Sequence, residues 1–141
     1  MIVLDPADFL RVANELVADS RSGALEPARV RTAVGRAYYA VFLLIRAELA
    51  RRHRVPMRRI RHGSVYTHLQ SPRAGDELRQ AGRELERLYG MRQKADYDLA
   101  PDAFWRRHVE DPTAARILLR SADKLARAIP GLDFSPVAPL F

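Results

Sequence analysis

Arg92, Asp96 and Tyr97 stand together in the stretch MRQKADYDL at residues 91–99. On a helix, an arginine and an aspartate four residues on lie on one face and form an ion pair. An arginine held in a cleft supplies charge to a phosphate. A carboxylate or phenol beside it is material for proton transfer. Spacing alone fits the plainest of these, a salt bridge tying down a helix end and worth a few tenths of a kcal/mol when exposed, roughly. A second observation keeps the chemistry open. Leu78, Ala81, Leu85, Leu88 and Ala95 advance by threes and fours, and Arg92 is a member of that series. An arginine that points where leucines point needs a carboxylate, a subunit seam or a polar cleft.

A second group with chemical potential lies upstream. Between Leu49 and Gly75 there is no acidic residue but seven arginines, Arg51, Arg52, Arg54, Arg58, Arg59, Arg61 and Arg73. They account for the whole formal charge of +7, because the other seventeen basic residues are matched by seventeen acidic ones. With His62, Tyr66 and His68 nearby, the segment suits a nucleic-acid backbone, where clustered cations and flexible donors meet phosphates. It equally suits a solvated cationic connector, or one that pairs with an acidic protein. His53, His62, His68 and His108 lack the spacing of metal ligands, so no metal site is expected. Absence of cysteine excludes disulfides, thiolate zinc sites and thiol catalysis. No glycine-rich phosphate loop, Gly-x-Ser-x-Gly elbow or His-Glu-x-x-His occurs, and no cofactor is implied.

The elements that must carry these residues are helices. Asp5-Pro6 opens the first, with Phe9, Val12, Ala13, Leu16 and Val17 at helical spacing up to Gly23. Pro27 opens a second, running to about His53 and apolar nearly all round, as befits the buried helix of a bundle. Tyr38, Tyr39 and Phe42 are expected in its core. Gly35 in its middle costs about 1 kcal/mol relative to alanine, which predicts a close helix crossing there. The stretch RVPMRRIRHGS at 54–64 reads as a basic connector, followed by a short helix capped by Ser64. A long helix spans about 75–96, and APDAFWRRHVEDP at 100–112 reads as a loop or single turn. Asp111-Pro112 starts a last helix to about Ala128, stopped by Pro130 and Gly131. The tail, 129–141, reads as extended, with apolar ends that fold back or touch a partner. No strand-like alternation appears. The expectation is one domain over 1–141, an all-α, up-and-down bundle of four to five helices. The longest apolar run, 33–45, is too short to span a bilayer, and no signal core is present, so a soluble cytoplasmic chain is expected.

Three segments, GRAYYAVFLLIRAEL at 35–49, HGSV at 62–65 and LYGMRQKADYDL at 88–99, together resemble the HEPN family (higher eukaryotes and prokaryotes nucleotide-binding), in its small stand-alone prokaryotic branch. The resemblance covers about residues 30–128 and implies a helical bundle that dimerises. It also implies a metal-independent endoribonuclease, often a toxin paired with a nucleotidyltransferase-type antitoxin. The family's catalytic signature is an arginine, a polar residue, and a histidine four to six residues on, set in a cleft between two subunits. Arg92 and Gln93 match the first two. The histidine position falls on Tyr97, whose reference pKa near 10 suits proton transfer poorly. Three readings follow. One is a non-catalytic homodimer that binds RNA, nucleotide or a partner through the cleft and the basic segment. Another is a ribonuclease in which Asp96, Tyr97 or His62 stands in for the histidine. The third is an interaction module for a nucleotidyltransferase.

Overall fold

Asp5 accepts the Ala7 N–H through its carboxylate at 2.9 Å, and the first helix, α1 (Ala7–Ala18), follows. The computed structural model describes residues 5–18, 26–98 and 112–141. After α1 come α2 (Pro27–His53), α3 (His62–Leu69), α4 (Asp76–Tyr97) and α5 (Pro112–Ala128). The protein is an all-α bundle, with no strand among the described residues. The stretch 100–112 lies largely outside them, as do Gly23, His108 and Asp111.

Helix α2 is the hub. It packs on α1, α4 and α5, while α3 rests mainly on α4. Its buried residues, among them Val30, Val34, Tyr38, Val41, Phe42, Ile45 and Leu49, project on nearly every side, as its apolar sequence requires. The buried side chains of all five helices join one core cluster. Arg54 ends α2 in the left-handed conformation at φ 53°, the one positive φ at a non-glycine residue among those described. That cap turns the chain sharply into a 3-10 turn at Met57–Arg59.

Three local expectations are corrected. Helix α3 begins at His62, two residues before the expected cap. Ser64 sits inside the first turn, where its hydroxyl donates to the Arg61 carbonyl at 2.9 Å and accepts the Arg61 N–H at 3.3 Å. His62 therefore rides on a helix and not in the connector. The tight helix crossing is at Gly82 and not at Gly35. A Cβ on Gly82 would lie 2.8 Å from the Leu69 Cβ and 2.9 Å from the Gln70 Cγ, whereas one on Gly35 would meet only the Asp96 carboxylate, at 3.5 Å. The tail is not extended. It winds into 3-10 turns at Ile129–Gly131 and Ser135–Leu140 and buries Ile129, Leu132, Phe134 and Val137. Arg52 holds it in place, donating to the carbonyls of Leu132 at 2.7 Å and Pro130 at 2.5 Å.

Candidate functional site

Arg92 lies on the buried stripe of α4, and its side chain retains 14% exposure. Burial at that position demands partners, and two are present. The Asp96 carboxylate is 2.9 Å from Nε, and Nη2 donates to the Tyr39 hydroxyl at 2.7 Å. The Nε–H is enclosed but points off the line to Asp96, so that contact is ionic without a formed hydrogen bond. The guanidinium carbon also sits 5.1 Å from the centre of the Tyr39 ring and 5.5 Å from that of Tyr97. Tyr97 itself is 72% exposed.

The end of α4 is held in place from α2. Arg31 donates from Nη1 to the carbonyls of Lys94 and Ala95, both at 3.0 Å, and of Asp98 at 2.5 Å. These carbonyls lie at the C-terminal end of α4, where a cation suits the helix dipole. Gly35 lets Asp96 approach the α2 backbone without a side chain between them. Together these contacts set the height and rotation of the Arg92–Asp96 turn against Tyr39.

Helix α3 brings His62 to the same place. Its ring stacks on Phe42 at 4.1 Å and lies edge-on to Tyr39 at 5.8 Å. The Tyr38 hydroxyl is 2.5 Å from Nδ1. Tyr38 is fully buried, and burial first, then neighbouring Tyr89, push its phenol well above the usual range despite the opposing effect of Arg92. The phenol therefore stays protonated, and its hydroxyl shares a short hydrogen bond with Nδ1. The phenol donates to Nδ1 when the imidazole carries its proton on Nε2, and accepts from Nδ1–H in the other tautomer. Burial, then Arg92 and Arg46, hold the His62 pKa below 6.5, which leaves the ring neutral at pH 7. Tyr66 and Tyr89, both half-buried and 5.5 Å apart, extend the aromatic wall.

The basic segment divides. Arg51 and Arg52 both reach Glu48, at 2.9 and 2.6 Å, and Arg52 is further engaged with the tail. Arg54, Arg58, Arg59 and Arg61 are exposed and meet no carboxylate among the described residues. They precede His62 in the chain by one to eight residues. Among the described residues there is no cluster of three or more His, Cys, Asp or Glu able to hold a metal ion, and no helix long and apolar enough to cross a membrane. A groove of about 810 Å³ between α4 and α5, lined by Asp76, Gln80, Glu84, Ser121 and Lys124 among others, shares no residue with the Arg92 cluster.

The sequence alone left out Tyr38, Tyr39 and Arg46. Tyr38 and Tyr39 read as core from their apolar surroundings, and only a polar tip turned toward a partner on another helix changes that. Arg46 interrupts the apolar run of α2, which is the same signal that picked out Arg92 on α4. Among known proteins, the family model described as HEPN domain matches residues 7–131. No curated protein and no solved structure matches the chain.

Proposed function

The chain belongs to the HEPN domain family, and from that premise we propose that it is an RNA- or nucleotide-binding component of a toxin–antitoxin-type system, acting as a homodimer. The observation that carries this reading is Arg92, a largely buried guanidinium held between Asp96 and the Tyr39 hydroxyl beside a neutral histidine. Such a guanidinium is pre-oriented for a phosphate, and its partial desolvation strengthens the attraction. Exposed Arg54, Arg58, Arg59 and Arg61 then follow the backbone of a longer strand, while Tyr39, Tyr66 and Tyr89 offer ring faces for unpaired bases. Exposed Tyr97, stacked on Arg92, is an apolar surface next to the site that a second copy would cover. A nucleotidyltransferase-type antitoxin is the partner protein this reading carries.

A second reading, a metal-independent endoribonuclease, is favoured by one observation: His62 reaches the Arg92 cluster from another helix, although Tyr97 occupies the expected histidine position. Cleavage by 2′-hydroxyl attack needs a base, an acid and charge stabilisation. Arg92 meets the last requirement only.

Incubating the purified protein with mixed RNA in chelator, beside Arg92→Ala, separates the two. Binding without cleavage, weakened at least tenfold in the variant and falling steeply with salt, is the expected result. Cleavage abolished by Arg92→Ala would replace the binding reading with the nuclease. Light scattering at micromolar concentration should give a dimer mass; a monomer would remove the shared site.

A further inference from the structure

Arg46 has no evident purpose in the fold. It is half-buried on α2, its Nε–H is enclosed without a hydrogen-bond partner, and no carboxylate among the described residues pairs with it. Its guanidinium carbon lies 5.5 Å from the centre of the Phe42 ring, and Phe42 in turn stacks on His62 at 4.1 Å. Arg92 reaches His62 in the same way from the other side of the sequence, through Tyr39. An enclosed cationic donor without a partner costs several kcal/mol, roughly, unless something neutralises it. Asp96 pairs with Arg92 and no carboxylate among the described residues pairs with Arg46, so the cluster carries an unmatched positive charge in partly desolvated surroundings.

We propose that Arg46, His62 and Arg92 form one anion site that takes a phosphate group, with His62 acting as a neutral hydrogen-bond donor through Nε2. The assignment deepens the binding reading above and rests on it for the choice of phosphate over other anions. Both guanidinium groups lie close enough to His62 to act on its charge, and guanidinium forks beside a ring N–H are the donor types that a tetrahedral anion accepts. The Tyr38 hydroxyl is what fixes the third donor. In the Nε2–H tautomer Nδ1 accepts from the buried phenol, Nε2 has no lone pair to offer, and a general base is not available there without breaking the Tyr38 bond. Both guanidinium groups also oppose a charge on the ring. The other titratable groups facing His62 are Tyr38 and Tyr39 from α2 and Tyr89 from α4. None is a carboxylate that would draw a second proton onto the imidazole. His62 thus recognises the phosphate and does not attack or activate it.

The test uses the full chain labelled with 15N at histidine. At pH 7 the His62 ring, assigned by its loss in His62→Ala, should show the Nε2–H neutral tautomer. Inorganic phosphate, adenosine monophosphate and a short oligoribonucleotide are then titrated separately. All three should shift the Nε2 signal; a shift with the oligoribonucleotide alone identifies a phosphodiester site, and with the first two alone a monoester site. Arg46→Gln should weaken the shifting ligand at least tenfold with an unchanged helical spectrum, and His62→Gln, which keeps a neutral donor, should weaken it less than His62→Ala. An Nδ1–H tautomer, or affinity indifferent to Arg46→Gln while Arg92→Gln abolishes it, overturns this inference and leaves the binding reading standing. Failure of wild-type protein to bind any of the three ligands overturns both.

Discussion

Protonating His62 would place a further positive charge near Arg46 and Arg92, in a ring already packed on Phe42 and hydrogen-bonded to Tyr38. Its folded pKa accordingly lies below the unfolded value, and the consequence for stability has a definite sign. Below about pH 6.5 the unfolded chain takes up a proton at this residue before the folded one does. The stabilisation is complete above that pH and is lost as acid is added through the window down to the folded pKa. Urea midpoints should therefore fall from pH 7.5 toward pH 5.5, and His62→Gln should flatten that fall. Equal slopes in the two proteins would show that the ring is not desolvated as described. Arg92 was legible at this scale because an arginine on a leucine stripe breaks a pattern. The partnership of Tyr38 and His62 was not, because it joins residues 24 apart through a phenol that hydropathy counts as core.

At the scale of elements, the separations between helices are decided by glycines in ways their sequence context does not reveal. Gly35 interrupts an apolar helix and reads as a crossing point, whereas Gly82 is a crossing that its sequence context does not mark. The atoms opposite them differ. A methyl at Gly82 would press on the Leu69 side chain and the Gln70 backbone, neither of which can swing away. Gly82→Ala should destabilise by about 1–3 kcal/mol, the usual range for overpacking. Gly35→Ala has room beside Asp96 and relieves the helix penalty of glycine, so it should stay within about 1 kcal/mol of wild type. Urea unfolding of both variants checks the pair, and the reverse ranking would mean α3 and α4 do not cross where described. Helix limits were legible to within two residues for α2 and α4, where prolines and a long periodic face mark them. The start of α3 was missed because Ser64, a good cap by type, makes its bonds from within the first turn.

Over the whole molecule, one arginine links the basic segment to the core. Arg52 belongs by sequence with the phosphate-facing cations, yet it donates to two tail carbonyls, pairs with Glu48 at 2.6 Å and lies 5.8 Å from the Phe134 ring centre. Removing it should loosen residues 129–141 and cost about 1–3 kcal/mol, the range for hydrogen bonds to a charged group. Hydrogen exchange in the tail should rise in Arg52→Ala while affinity for nucleotide is unchanged; a loss of affinity with an intact tail would return Arg52 to the binding surface. The tail reads as extended from the sequence, where Pro130 and Gly131 stop the helix before it. They do not forbid 3-10 turns, and Phe134 and Val137 are apolar enough to close the core once those turns form.

Burial of Tyr38 beside His62 has a consequence at the opposite end of the pH scale. A buried phenol that must stay protonated resists ionisation in the folded state, while the unfolded chain releases the same proton near pH 10. Stability from Tyr38 is thus present below that pH and drains away as alkali is added, the mirror of what acid does through His62. Burial of a phenol beside an imidazole inside the bundle therefore helps set both shores of the range in which this chain stays folded.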